Sequence, residues 1–240
     1  MGQVRLYLDQ PLAEGQSVPL SRDQAHYLFG VMRLGVGDGV EVFDGQTGAY
    51  AASVAETGKR AGRLLIAGQI RPVDVPPDIW LLFAPIKKER TDFIVEKAAE
   101  LGAARIQPVA TEFTQAGRVN RERLQAHAVE AAEQCGGTFV PPVADLLPLD
   151  RVLSGWDGDR RVLFCDEARA GEDFAFPTSP GPWAILIGPE GGFSDRERTR
   201  LGALDYAHPI SLGPRILRAD TAAVAALTLW QSTLGDWAGR

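Results

Sequence analysis

The sequence predicts an α/β protein led by a small β-rich domain, and three observations predict it. Residues 4–71 carry short alternating apolar runs separated by Gly and Asp turns, the pattern of strands with one buried face. A stretch at 72–78 containing Pro72, Pro76 and Pro77 follows and reads as a linker. Beyond it, apolar runs alternate with helical periodicity, which favours a parallel sheet covered on both faces. The expected division is a small antiparallel barrel or sandwich over 1–72 and an α/β domain over 79–240.

Strands are expected at Val4-Arg5-Leu6-Tyr7-Leu8, at Val40-Glu41-Val42-Phe43, and at 49–54 and 63–67, with Asp44-Gly45 as a hairpin turn. Ser21 caps a short helix reaching Phe29, whose later turns are apolar. After the linker, 79–84 is the first buried strand. Thr91 then caps a helix that places Phe93, Ile94, Ala98 and Leu101 on one face, and Gly102 ends it. Further strands are expected at 106–110, 162–165, 183–187 and 209–212. Residues 121–134 are helical by spacing, and Ser194-Asp195-Arg196-Glu197 is a capping box. A last helix starts at Asp220 or Thr221 and carries Ala223, Leu227 and Trp230. No internal repeat or low-complexity segment interrupts this order.

With 240 residues, 45% of them hydrophobic, the chain can bury a sizeable core. Its longest apolar stretch, 222–230, is too short to span a bilayer, and Met1-Gly2-Gln3-Val4-Arg5 leads into alternation, not a signal-peptide core. Cys135 and Cys165 lie in different elements and make no disulfide framework, while His26, His127 and His208 show no metal-ligand spacing with them. A reducing cytoplasm, no membrane span and no metal are the expectation. The net charge of −6 runs against a nucleic-acid binder, whose phosphate contacts leave a basic footprint. Charge can still be segregated, because Arg5, Arg22, Arg33, Lys59, Arg60, Arg63 and Arg71 gather in the first third, although acidic residues balance them there.

Two segments carry most of the functional information. Gly188-Pro189-Glu190-Gly191-Gly192-Phe193 leaves the apolar run 183–187, and Ser211-Leu212-Gly213 leads into Arg215-Ile216-Leu217-Arg218-Ala219-Asp220-Thr221-Ala222. Each is a tight loop from strand to helix, where an α/β sheet exposes backbone amides to a ligand. Two such loops imply one shared pocket, and their glycines let main chain approach a ligand. Either loop alone is equally an ordinary Gly-rich turn. A phosphate-binding hydrolase is poorly supported, because GPEGGF lacks the Lys and Ser/Thr that complete a P-loop.

Together the loops resemble the cofactor-binding half of the SPOUT methyltransferases, in particular the RsmE-type enzymes that methylate N3 of a uridine in 16S ribosomal RNA of the small subunit. The family pattern runs approximately IGPEGGFS, a second strand, then SLGxRILRxETA. This chain matches nearly every position, departing at Asp220, where Glu is usual, and at Pro214, where a basic residue is common. His26-Tyr27-Leu28, Val31-Met32-Arg33-Leu34, Gly37-Asp38, Val42-Phe43-Asp44-Gly45, Lys87-Lys88-Glu89-Arg90 and Glu96-Lys97-Ala98-Ala99-Glu100-Leu101-Gly102 extend the resemblance from about Arg5 to the last helix. Around Cys135, where the family often has Ser, its one or two arginines are replaced by Gly137 and Phe139.

The resemblance implies a SPOUT-type knotted α/β domain, its chain forming a trefoil knot, behind a PUA-like β-barrel that contacts RNA. It implies S-adenosyl-L-methionine as cofactor, wrapped by Ile187, Gly188, Pro189, Glu190, Gly191, Gly192, Leu212, Gly213, Ile216, Leu217 and Arg218. The implied partner is 16S rRNA within the assembled small subunit. A homodimer with cofactor sites at its interface is also implied; residues 222–237 with Phe93 and Ile94 are candidate surfaces, although most of these side chains read better as monomer core. Uracil N3 must lose a proton before or during attack. Arg218 is the candidate to stabilise charge on the uracil oxygens, or else clamps a phosphate. Glu190 and Asp220 are the nearby carboxylates; Glu190 could instead orient its loop or bind the cofactor's amino group, and Asp220 could cap the helix. Arg5, His26 and Arg33 are candidate RNA contacts, against a half-buried histidine and solvated arginines. Two other readings stay open: a SPOUT enzyme acting on transfer RNA or large-subunit rRNA, and a ribosome-assembly factor that binds RNA without chemistry. Measurable cofactor binding separates the second from the rest.

Overall fold

The computed structural model describes residues 4–172, 176 and 179–239, so Met1, Gly2 and Gln3 lie outside the described residues. The chain divides into two compact units, Met1–Val75 with Ala132–Val140, and Pro76–Ala131 with Pro141–Arg240.

The first unit contains β1 (Arg5–Tyr7), β2 (Ser17–Pro19), α1 (Arg22–Ala25) running into a π-helical turn (His26–Val31), β3 (Gly39–Phe43), β4 (Gly48–Glu56) and β5 (Arg63–Pro72). Its sheet order is β1-β3-β4-β5-β2. The expected antiparallel pattern holds for every pair except β1 with β3, which is parallel. The 31 residues between them, 8–38, hold β2 and α1 and are long enough for the crossover a parallel pair requires. Leu6, Val18, Val42, Val54 and Leu64, one from each strand, enter the same buried cluster with Leu28, so the sheet curls around a single core. Register shifts along the β4–β5 ladder supply the bend.

Local chemistry explains the turns. Ser21 caps α1 in a full capping box with Gln24. Asp44, buried at the β3–β4 turn, accepts the N–H groups of Gln46 and Thr47 at 2.9 and 2.7 Å and the Thr47 hydroxyl at 2.6 Å. Burial acts to raise its pKa, but these donors outweigh it and hold the carboxyl below its ordinary value.

Arg5 fastens 132–140 to this sheet. Its Nε donates to Glu41 at 2.8 Å, Nη1 to the carbonyls of Ala132 and Glu133 at 2.7 and 2.9 Å, and Nη2 to the Gly137 carbonyl at 2.7 Å. The guanidinium also lies over the Phe43 ring.

The second unit contains β6 (Ile79–Phe83), α2 (Lys88–Glu100), β7 (Arg105–Ala110), α3 (Arg121–Cys135, of which 132–135 count with the first unit), β8 (Leu147–Pro148), α4 (Leu149–Ser154), β9 (Arg161–Cys165), a 3₁₀ turn (Glu167–Arg169), β10 (Trp183–Ile187), α5 (Asp195–Gly202), β11 (Ala207–Ile210) and α6 (Ala219–Thr233). Its sheet runs β11-β9-β10-β6-β7-β8 and is parallel throughout. Every residue of β10 is buried, as a strand covered on both faces demands. Helices α2 and α6 pack together, and α6 lies on β10.

Several helix ends differ from expectation. Lys87, not Thr91, is the N-cap of α2; Thr91 sits a turn inside, where its hydroxyl bonds both the N–H and the carbonyl of Ile86. Phe93 is exposed while Ile94, Val95 and Ala98 form the buried face. Gly102 ends α2 as expected, at φ 72°, with Ala103 N–H returning to the Ala98 carbonyl and Gly102 N–H to that of Ala99. Gln231 of α6, fully buried, donates to the Leu101 carbonyl at 2.7 Å and completes that end. Ser194 and Glu197 form the capping box of α5. Helix α6 begins at Ala219 with Arg218 as its N-cap, earlier than expected, and β11 ends at Ile210, two residues before its expected limit.

Candidate active site

Because β9, β10 and β11 are adjacent and parallel, their carboxyl ends meet at one edge of the sheet, where open α/β sheets bind ligands. The segments leaving them enclose a cavity of about 780 Å³, counting its open mouth. From β10 come Ile187, Gly188, Pro189 and Glu190. From β11 and the approach to α6 come Leu212, Gly213, Ile216, Leu217 and Arg218, along with Ile210, Arg215, Ala219 and Ala222.

Gly191 and Gly192, expected on the same wall, lie outside it. A Cβ on Gly191 would stand 3.2 Å from Phe113, and one on Gly192, whose φ is 69°, would overlap the Glu167 carboxylate. Gly188 does line the cavity, yet its missing Cβ makes room for the Phe193 ring, which packs edge-on against Phe164 at 4.7 Å. Gly213 is different: φ is 111°, and a Cβ there would meet nothing within 4 Å. Ser211 shapes that turn, its hydroxyl bonding the Gly213 N–H and carbonyl.

A third wall lies outside the two loops that the sequence singles out. Cys165, Asp166, Glu167 and Ala170, after β9, also line the cavity. The signal for it is an apolar run, 162–165, ending in two carboxylates; what no local pattern shows is that β9 lies beside both β10 and β11. Arg198 holds this wall, with Nε 3.1 Å from Asp166 and Nη2 on Glu167. Burial works against its charge, and the two carboxylates outweigh burial and raise its pKa. Burial likewise pushes the Cys165 thiol up, so it offers no thiolate nucleophile.

Arg218 and Glu190 are exposed, and their side chains make no hydrogen bond or ion pair with the described residues. Both also line a second recess with Ile86, Lys87, Arg90 and Ala219. Asp220 is spent elsewhere. One oxygen pairs with Arg90 Nη1 at 2.6 Å and the other accepts the Thr221 N–H at 2.8 Å, so it is neither the cap of α6 nor a free base.

The RNA candidates separate as clearly. Arg5, expected at an RNA surface, has a side chain only 11% exposed, and its donors are committed inside the first unit, which removes it. His26 is exposed, not half-buried, and Gly30 leaves space for its imidazole. Arg33 is exposed at φ 58°, the single positive-φ residue other than glycine among the described residues, in company with exposed Val31, Met32 and Val36. Among the described residues no helix is long and apolar enough to cross a membrane, and no group of three or more His, Cys, Asp or Glu side chains could hold a metal ion.

The family models agree with this layout. Residues 74–231 match the RNA methyltransferase domain, and 20–66 match the RNA methyltransferase PUA domain. The chain is 30% identical over 228 residues to ribosomal RNA small subunit methyltransferase E of Rickettsia conorii, an alignment covering 93% of each protein. It is 33% identical to the protein of that name from Synechocystis, over 88% of this chain and 71% of the relative. The crystal structure of ribosomal RNA small subunit methyltransferase E from Neisseria gonorrhoeae, bound to S-adenosyl methionine, superposes with a TM-score of 0.88 at 27% identity, covering 98% of this chain and 100% of that one. With parallel-sheet architecture, loop chemistry and both domain models in agreement, the chain belongs to the ribosomal RNA small subunit methyltransferase E family of RNA methyltransferases.

Proposed function

We propose that this protein transfers a methyl group from S-adenosyl-L-methionine to N3 of a specific uridine in 16S ribosomal RNA, working in the cytoplasm on the assembled small subunit. The observation that carries the reading is the cavity at the shared carboxyl edge of β9, β10 and β11, with the uncommitted side chains of Arg218 and Glu190 on its wall. The residues present fit the cofactor. Gly213 turns bare main chain toward open space, Leu212, Ile216 and Leu217 offer apolar surface for an adenine, and the Glu167 carboxylate suits hydroxyl and cationic groups. Gly188, Pro189 and Ile187 complete the grip, whereas Gly191 and Gly192 act by keeping the loop's own packing.

When bound, the cofactor supplies an electrophilic methyl group on a sulfonium. The chain's task is then alignment, which can lower a barrier by about 7–11 kcal/mol. Uracil N3 must shed its proton, and Glu190 is the carboxylate on the wall available to accept it. Arg218 stabilises negative charge as it develops on the uracil oxygens, an interaction strongest during transfer and therefore catalytic.

Around this centre the reading assigns 79–240 to a knotted methyltransferase domain and 1–72 to RNA binding through Arg33 and His26. It also pairs two copies, using the exposed apolar side chains Phe93, Leu229 and Trp237; Ile94, Ala223, Ala226, Leu227 and Trp230 are buried and belong to the monomer core. Sedimentation of an active monomer at micromolar concentration would remove the dimer. The decisive experiment offers methyl-labelled cofactor to small subunits, free 16S rRNA, transfer RNA and large-subunit RNA. An N3 methyl blocks base pairing and halts reverse transcriptase, so a new stop at one 16S uridine is expected. Label confined to another RNA, or none transferred, overturns the reading.

A further inference from the structure

The second recess is about 600 Å³ with its open mouth. It shares Glu190, Arg218 and Ala219 with the main cavity and adds Ile86, Lys87 and Arg90. Three cationic side chains thus face it against one carboxylate. Lys87 is exposed and unpaired among the described residues. Arg90 is braced from behind: its Nη1 donates to Asp220 at 2.6 Å, leaving its other N–H groups for a second acceptor. Ile86, anchored by the Thr91 hydroxyl, and Ala219 give the recess an apolar floor.

From this arrangement we infer that Lys87 and Arg90 hold a backbone phosphate flanking the target nucleotide, so that its base is delivered to Glu190 and Arg218. A phosphodiester matches the surplus positive charge, and a base beside it would rest on the apolar floor within reach of the side chains that also line the cofactor cavity. Asp220 is then a positioning residue, fixing Arg90 without touching RNA. The inference rests on the methyl-transfer reading above. The cofactor's own carboxylate is the other anion that could sit here, and the test separates the two.

The wild-type protein is first used to locate the methylated uridine in an RNA fragment; failure to methylate any RNA removes the underlying reading, not this assignment alone. Binding and kcat/KM are then measured for Lys87→Ala with fragments carrying a neutral methylphosphonate at each linkage around that uridine. Lys87→Ala should weaken RNA binding about tenfold and flatten its salt dependence by about 0.7 in log–log slope, with cofactor affinity unchanged. At one flanking linkage the methylphosphonate should cost the wild type more than Lys87→Ala does, and should cost Lys87→Ala less than it costs the wild type, because only the Arg90 contact is left to lose. Arg90→Gln/Asp220→Asn, which removes both charges but keeps a hydrogen-bonding pair, should repeat the effect at that linkage. Losses that multiply at every linkage overturn the assignment, as does a fall in cofactor affinity with RNA binding intact.

Discussion

The two glycine loops look alike in sequence and differ in what their glycines are for. In the loop after β10, Gly188 yields to Phe193, Gly191 to Phe113 and Gly192 to Glu167; the requirement is the protein's own packing. In the loop after β11, Gly213 faces empty space at φ 111°, and Ile216 stands 72% exposed. One loop is packed by the protein's own side chains, and the other leaves open space beside its backbone. A glycine-rich signature therefore mixes positions that packing requires with positions left open, and only the space around each Cα separates them.

Four experiments break or sharpen this contrast. The largest effect is expected at the edge of the open loop, where Arg218→Ala should cut single-turnover methylation by about 10²–10³-fold at saturating cofactor and RNA. Cofactor affinity should hardly move, and normal chemistry in that variant would leave Glu190 or backbone amides as the stabilising groups. Next, Gly213→Val should weaken cofactor binding about a hundredfold in calorimetry, because the new side chain occupies ligand space and strains a positive φ. Gly191→Val, pressing on Phe113 instead, should retain binding within a few-fold. Equal losses in both variants would erase the distinction between the loops.

Stability should divide the other way. Gly192→Ala combines overlap with Glu167 and a strained φ, costing about 2–4 kcal/mol of unfolding free energy. Gly213→Ala meets only the strain, about 1–2 kcal/mol, so denaturant midpoints should rank the pair. The smallest effect comes from the Asp44 turn, finished like the β10 loop but remote in function. Its carboxyl is held below the ordinary aspartate value, so its contribution is fully present above that value and is lost as pH falls through the lower folded one. Asp44→Asn should flatten the acid limb of the stability curve in that window, while cofactor binding at neutral pH stays the same.

The sequence alone determined features that a few neighbouring residues decide. The Ser194–Glu197 capping box, the Gly102 stop and strand β10 fall where pattern places them, because capping, positive φ and side-chain periodicity act within a turn or a strand. The loops at 188–193 and 211–218 were legible for the same reason. Tertiary structure decided which distant residues share a place. Strand order put β9 beside β10 and β11 and so brought Asp166 and Glu167 to the cavity. A partner 130 residues away claimed Asp220, and carbonyls 127–132 residues away claimed Arg5. A charged side chain looks the same in sequence whether it is free or committed, because its hydrogen bonds and desolvation depend on which groups surround it once the chain has folded.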